Sequence, residues 1–185
     1  MKRGLFFALL AALLFTGTAF AQESQPEVTI VKYSDYQCPA CRFYYNVEQK
    51  LKEELGDRVK LVTKHFPLGM HQYAQIAARA AEAARKQDKY HEMHELLFNG
   101  QPQWSRGNAE GIFIGYAKSL DLNVEQFRSD MNSAEMQRIV MADRREGIQL
   151  QVSSTPTFFV NGEKLKKNPP TYPAFKKMVE SYMEN

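Results

Sequence analysis

Cysteine is scarce in this chain: two in 185 residues, at positions 38 and 41. That excludes a small fold stapled by several disulfides, and it leaves the pair without an internal competitor. Surplus charge is missing too. Twenty-four Lys and Arg stand against 21 Asp and Glu, a formal net charge of +3 to which Lys2 and Arg3 contribute. Nothing in that balance calls for a nucleic-acid partner. After residue 21 no apolar run approaches the ~20 residues that cross a bilayer, and no internal repeat or low-complexity tract appears.

The first residues are organised for export. Met1-Lys2-Arg3 precedes a nearly all-apolar run from Leu5 to Leu14, and Ala19-Phe20-Ala21 supplies small residues for cleavage. This predicts a secretory signal peptide over residues 1–21, cut between Ala21 and Gln22, with an uncleaved anchor as the other reading. The mature protein is expected in the periplasm or another exported, oxidising compartment. Residues 22–185 suit one domain, or one domain with an insertion.

The cysteines lie in Ser34-Asp35-Tyr36-Gln37-Cys38-Pro39-Ala40-Cys41-Arg42. Val28 to Tyr33, β-branched and aromatic, predicts a buried strand before it. After it, Phe43, Val47, Leu51 and Leu55 recur every four residues, Glu48, Lys50, Lys52 and Glu53 fill the other faces, and Gly56 stops the helix. Pro39 suits a first helical turn, which places Cys38 at the helix N-terminus. Backbone N–H groups there lack internal acceptors and favour an anion. Cys38 should ionise early, and the thiolate is both nucleophile and good leaving group in disulfide exchange. Cys41, one turn inward, is then the less accessible resolving partner. On residues alone a structural bridge, a metal site and inert thiols remain open. A four-residue loop would gain only about 2 kcal/mol from a bridge, however, and His65, His71, His91 and His94 lack zinc-finger spacing.

Arg58 to Phe66 alternates and ends at Pro67, predicting a second strand parallel to the first. Helices are expected over 71–86, 90–98, 108–120, from a capping box at Asn123 to Met131, and over 133–149, with 101–104 a loop. Thr157 to Val160, Asn161-Gly162 and Glu163 to Leu165 form a hairpin pattern. Thr171 to Met183 predicts a last helix with Pro173 in its first turn. His91 and His94 read as ordinary helix residues, the aromatics Tyr33, Tyr36, Phe43, Tyr44 and Tyr45 as core, and Lys164, Lys166 and Lys167 as a solvated basic patch.

Four segments, Tyr33 to Cys41, Lys64 to Leu68, Glu92 to Phe98 and Ser154 to Gly162, together resemble the DsbA-like thiol:disulfide oxidoreductases. The resemblance implies an α/β thioredoxin-like fold, built from residues 22–67 and 151–185, with an inserted α-helical subdomain over 68–150. It assigns Cys38 as surface nucleophile, Cys41 as resolving thiol, and Pro156 as a cis-proline that exposes the Thr155 backbone to substrate. No cofactor beyond the Cys38–Cys41 redox pair and no metal is expected. The implied partners are reduced or unfolded proteins and a quinone-linked membrane protein that resets the pair; a monomer is expected. Two positions depart from the family. Ala40 stands where strongly oxidising members often carry histidine, and Lys32 replaces an acid thought to shuttle protons to the buried cysteine. Lys32 is expected to point outward into solvent. Asp35 reads first as a helix cap and second as a proton relay. The function expected is oxidation of protein dithiols; a reductase, or a non-catalytic copper- or zinc-binding module, is the alternative.

Overall fold

The computed structural model describes residues 26–184; the expected signal peptide and its cleavage site lie outside them. Four strands form one sheet in the order β2-β1-β3-β4. β1 (Val28–Ser34) and β2 (Val59–His65) run parallel, in register from Val28 opposite Val59 to Ser34 opposite His65. Between them lies α1 (Pro39–Leu55), closed at Gly56, whose φ of 57° suits a residue without Cβ. β3 (Thr157–Val160) lies antiparallel to β1, and β4 (Glu163–Lys164) folds back on β3. Asn161 and Gly162 both have positive φ, 49° and 86°, which makes the turn the predicted two-residue hairpin.

Between β2 and β3 run α2 (Ala74–Arg85), α3 (Tyr90–Asn99), α4 (Gln101–Trp104), α5 (Ala109–Ser119), α6 (Val124–Met131) and α7 (Ala134–Gln149). α8 (Tyr172–Met183) follows the hairpin. The expected loop at 101–104 is instead a single helical turn. Pro102 fits its start, and Trp104 is buried there with Nε1 donating to the Leu97 carbonyl at 2.7 Å. Asn123 caps α6 through Gln126 N–H, but the box is only half closed. The Gln126 side chain reaches Asp130, and the Asn123 N–H is met by Gln87 Oε1 from the end of α2.

Because side chains alternate along a strand, Val28, Ile30, Lys32 and Ser34 face one side of the sheet and Val31 and Tyr33 the other. The first side is covered by α1 and α8, through Val47, Leu51, Phe175 and Val179. The second is covered by α7, where Gly147 brings the helix against Tyr33 and Phe66: a Cβ there would lie 2.8 Å from the Phe66 ring. β1 therefore has no solvent face, which overturns the outward Lys32. Its side chain is 1% exposed and ion-paired with Glu48 of α1. Glu48 is likewise buried rather than on an outer face, while Phe43 is 46% exposed. α1 is covered on two sides, by the sheet and by the helices between β2 and β3, so more than one stripe of it is buried. Tyr44 and Tyr45 fill those sides in place of Phe43.

Candidate active site

Cys38 is the N-cap of α1, with extended backbone (φ −76°, ψ 120°), and Pro39 begins the helix. Its carbonyl receives the Arg42 N–H at 3.2 Å and its N–H donates to the Asp35 carbonyl at 3.1 Å. Both cysteines are free thiols. Cys38 keeps 7% exposure and Cys41 none, so Cys38 is more covered than a surface nucleophile yet remains the more open of the two.

The Thr155–Pro156 peptide is cis, and the loop carrying it brings the Thr155 carbonyl to 3.5 Å from Cys38 Sγ. The hydroxyls of Thr155 and Ser34 are buried and, among the described residues, bond to no oxygen or nitrogen; they adjoin Cys38 and Cys41 respectively. Asp35 N–H approaches Cys41 Sγ at 3.5 Å.

These neighbours separate the two thiols. The Cys41 thiol donates to Cys38 and is the largest influence holding it down. Burial opposes, while Thr155 and the N–H groups of Cys41 and Ala40 assist, so that Cys38 falls to about 5. The helix start does contribute, but after the neighbouring thiol. Ala40, which has no side-chain donor, acts through its backbone. Cys41 is driven well above an ordinary thiol, first by burial and then by Cys38 beside it; Asp35 N–H and Ser34 pull back only in part.

Asp35 is neither the N-cap of α1 nor exposed. Its carboxylate, on a residue 1% exposed, accepts Gln37 N–H at 2.7 Å, Leu68 N–H at 2.8 Å and His71 Nδ1 at 2.8 Å. It closes a local turn and ties the cysteine loop to the segment after β2. Gln37 Oε1 adds a bond to Tyr73 N–H at 2.7 Å. From the other side, buried Gln101 donates through Nε2 to the carbonyls of Tyr36 (2.6 Å) and Cys38 (3.0 Å). The sequence carries no local sign of Gln101's role, since its partners lie more than sixty residues away.

Tyr36 packs behind the loop, its hydroxyl paired with His94 Nδ1 at 2.5 Å, and burial keeps His94 well below its ordinary value and so neutral. His65 and Glu82 pair nearby at 2.8 Å, with Arg85 on the same carboxylate. Among the described residues no three His, Cys, Asp or Glu side chains are placed to share a metal ion.

Residues 19–181 match the thioredoxin family. The chain belongs to that family. Its fold is the DsbA-like form with helices inserted between β2 and β3. BdbD from Bacillus subtilis superposes with a TM-score of 0.76 at 24% identity, over 89% of this chain and 91% of that one. A thioredoxin-like oxidoreductase from Silicibacter pomeroyi gives 0.72 at 28%, over 87% and 89%. α-DsbA1 of Wolbachia pipientis gives 0.75 at 19%, over 86% and 87%. A 141-residue stretch, 74% of this chain, is also 39% identical to part of a Na(+)/H(+) antiporter, NhaA 1, of Salinispora arenicola, where it spans 20% of that protein. None of the helices among the described residues is long and apolar enough to cross a membrane.

Proposed function

We propose that this thioredoxin-family protein is an exported thiol:disulfide oxidoreductase that oxidises protein dithiols through Cys38 and Cys41. One observation carries the reading: two sulfurs in one helical turn, of which the more open is held ionised and the covered one protonated, beside a cis-proline loop. The likeness to the Silicibacter oxidoreductase supports the class of chemistry. The antiporter relatives share only this stretch, and ion transport is not carried over from them.

In the oxidising direction a substrate thiolate attacks Cys38 Sγ of the Cys38–Cys41 disulfide. A mixed disulfide forms, the Cys38–Cys41 bond breaks, and Cys41 leaves as a thiolate that takes up a proton. A second substrate thiolate then attacks its own sulfur in the mixed disulfide and Cys38 departs as thiolate. The substrate has lost two electrons, which the pair now holds, and a partner disulfide must accept them to reset it. A Cys38 that is stable as thiolate favours the reduced protein, and so favours the oxidase over the reductase.

Mixing the disulfide form with a reduced model protein tests this directly. Stoichiometric oxidation that Cys38→Ser abolishes is expected. The reduction potential against glutathione should lie above the roughly −270 mV of thioredoxin. An unchanged rate in Cys38→Ser, or a potential at or below that value, contradicts the proposal.

A further inference from the structure

The loop that carries Thr155 to the cysteines has a second side. Ser153, Ser154, Pro156, Thr157 and Asn168 line a concavity of about 200 Å³, bordered by Lys164, Lys166 and Lys167. Its wall is fastened to the cis-proline loop: Asn168 Nδ2 donates to the Pro156 carbonyl and Thr157 Oγ1 to the Ser154 carbonyl, both at 2.8 Å.

Among the described residues these three lysines, like Lys50, Lys60, Lys118 and Lys177, form no ion pair, and they are grouped around one recess. Lys32, Lys52, Lys64, Lys86, Lys89 and Lys176 each pair with a carboxylate. Among the described residues no carboxylate pairs with Lys164, Lys166 or Lys167. Lys164 Nζ is held by the neutral Gln151 carbonyl at 2.6 Å, and the ammonium groups of Lys166 and Lys167, on exposed residues, meet no partner among the described residues. Clustered like charges without counter-charge repel one another, and around a polar recess they attract an anion. On the cysteine side of the same loop, the Thr155 N–H meets no acceptor among the described residues, leaving an edge on which an extended chain can pair.

We propose that this recess reads a carboxylate of the substrate, the side chain of a Glu or Asp close in sequence to the reacting cysteine, with Lys166 and Lys167 supplying the charge and the hydroxyls of Ser153 and Ser154 the hydrogen bonds. The inference rests on the disulfide-exchange reading and adds a substrate preference to it. A chain paired along Thr155 advances about 3.3 Å per residue. Since Pro156 itself lines the recess, an acidic residue roughly two to four positions from the cysteine comes within reach.

The test uses the disulfide form of the protein and three dithiol peptides identical except for a pair of Glu, Gln or Lys residues placed roughly two to four positions from one cysteine. Each peptide gives two electrons to the Cys38–Cys41 disulfide; of its two thiol protons one goes to Cys41 and the other to solvent, Cys38 remaining a thiolate, and peptide disulfide is quantified after acid quench. At low salt the Glu peptide should be oxidised up to about ten-fold faster than the Gln peptide and the Lys peptide slower than both, as charge steering of association predicts. The spread should collapse at about 0.5 M salt. In the exposed double variant Lys166→Glu/Lys167→Glu the order should invert. Equal rates for the three peptides, or an order unchanged in the double variant, overturn the recess while leaving disulfide exchange standing. Failure to oxidise any peptide removes both.

Discussion

Lys32 of the central strand and Glu48 of α1 form an ion pair that solvent does not reach, 1% and 5% exposed. Lys32 Nζ also stands 5.3 Å from the centre of the Phe98 ring, so the charge is enclosed by α1, α3 and the sheet. Burial raises the Glu48 carboxyl above its usual range, and the attraction and hydrogen bond of Lys32 offset part of that rise. An enclosed pair is costly to halve. Lys32→Met is expected to destabilise by about 3–5 kcal/mol because it strands a buried carboxylate, whereas Lys32→Met/Glu48→Leu should recover most of the loss. Urea unfolding of the two single variants and the double variant checks this; a double variant no better than the singles would contradict it.

Asp35 gives a second prediction. Its carboxylate is the acceptor for two backbone N–H groups and for His71. Asp35→Ala leaves those donors unmet and should cost about 2–4 kcal/mol. Asp35→Asn, which keeps an acceptor oxygen, should cost less. Faster amide exchange at Leu68 and Gln37 in Asp35→Ala would locate the loss at the cysteine loop; unchanged exchange there would argue against the tie.

How much of this was legible beforehand depends on the range of the interaction. The α1 start at Pro39, the Asn161-Gly162 turn and the Asn123 cap of α6 are local, set by residues within a turn of one another. The CxxC at a helix start was readable for the same reason. Lys32 is misplaced by the sequence because its charge suggests an outer face, whereas its alternation with Val28, Ile30 and Ser34 puts it on the side of the sheet that α1 covers. Glu48 follows from the same enclosure, since four-residue spacing describes one buried stripe and α1 has two contacts to fill. Gln101, which braces Tyr36 and Cys38, joins segments that only the folded chain brings together.

Acid sensitivity should centre on Glu82. Burial works against its ionisation, but hydrogen bonds from His65 and Arg85 outweigh it and hold the carboxyl at about 2. A carboxyl lowered in the fold stabilises the native state above its unfolded value, and that stability is lost as pH falls toward the folded one. From an ordinary 4.5 down to about 2, roughly 3 kcal/mol should therefore disappear. Unfolding free energy measured across that window should fall steeply in the parent chain and more shallowly in Glu82→Gln. Parallel curves would contradict the assignment.

The central claim is that the fold makes Cys38, not Cys41, the ionised sulfur. Iodoacetamide alkylation of the reduced protein as a function of pH, followed by peptide mapping, measures it most directly. The structure predicts that labelling at Cys38 titrates near pH 5, with Cys41 unreactive until far higher pH. Labelling at Cys38 that titrates at about 8.5, like a free cysteine, would contradict the account.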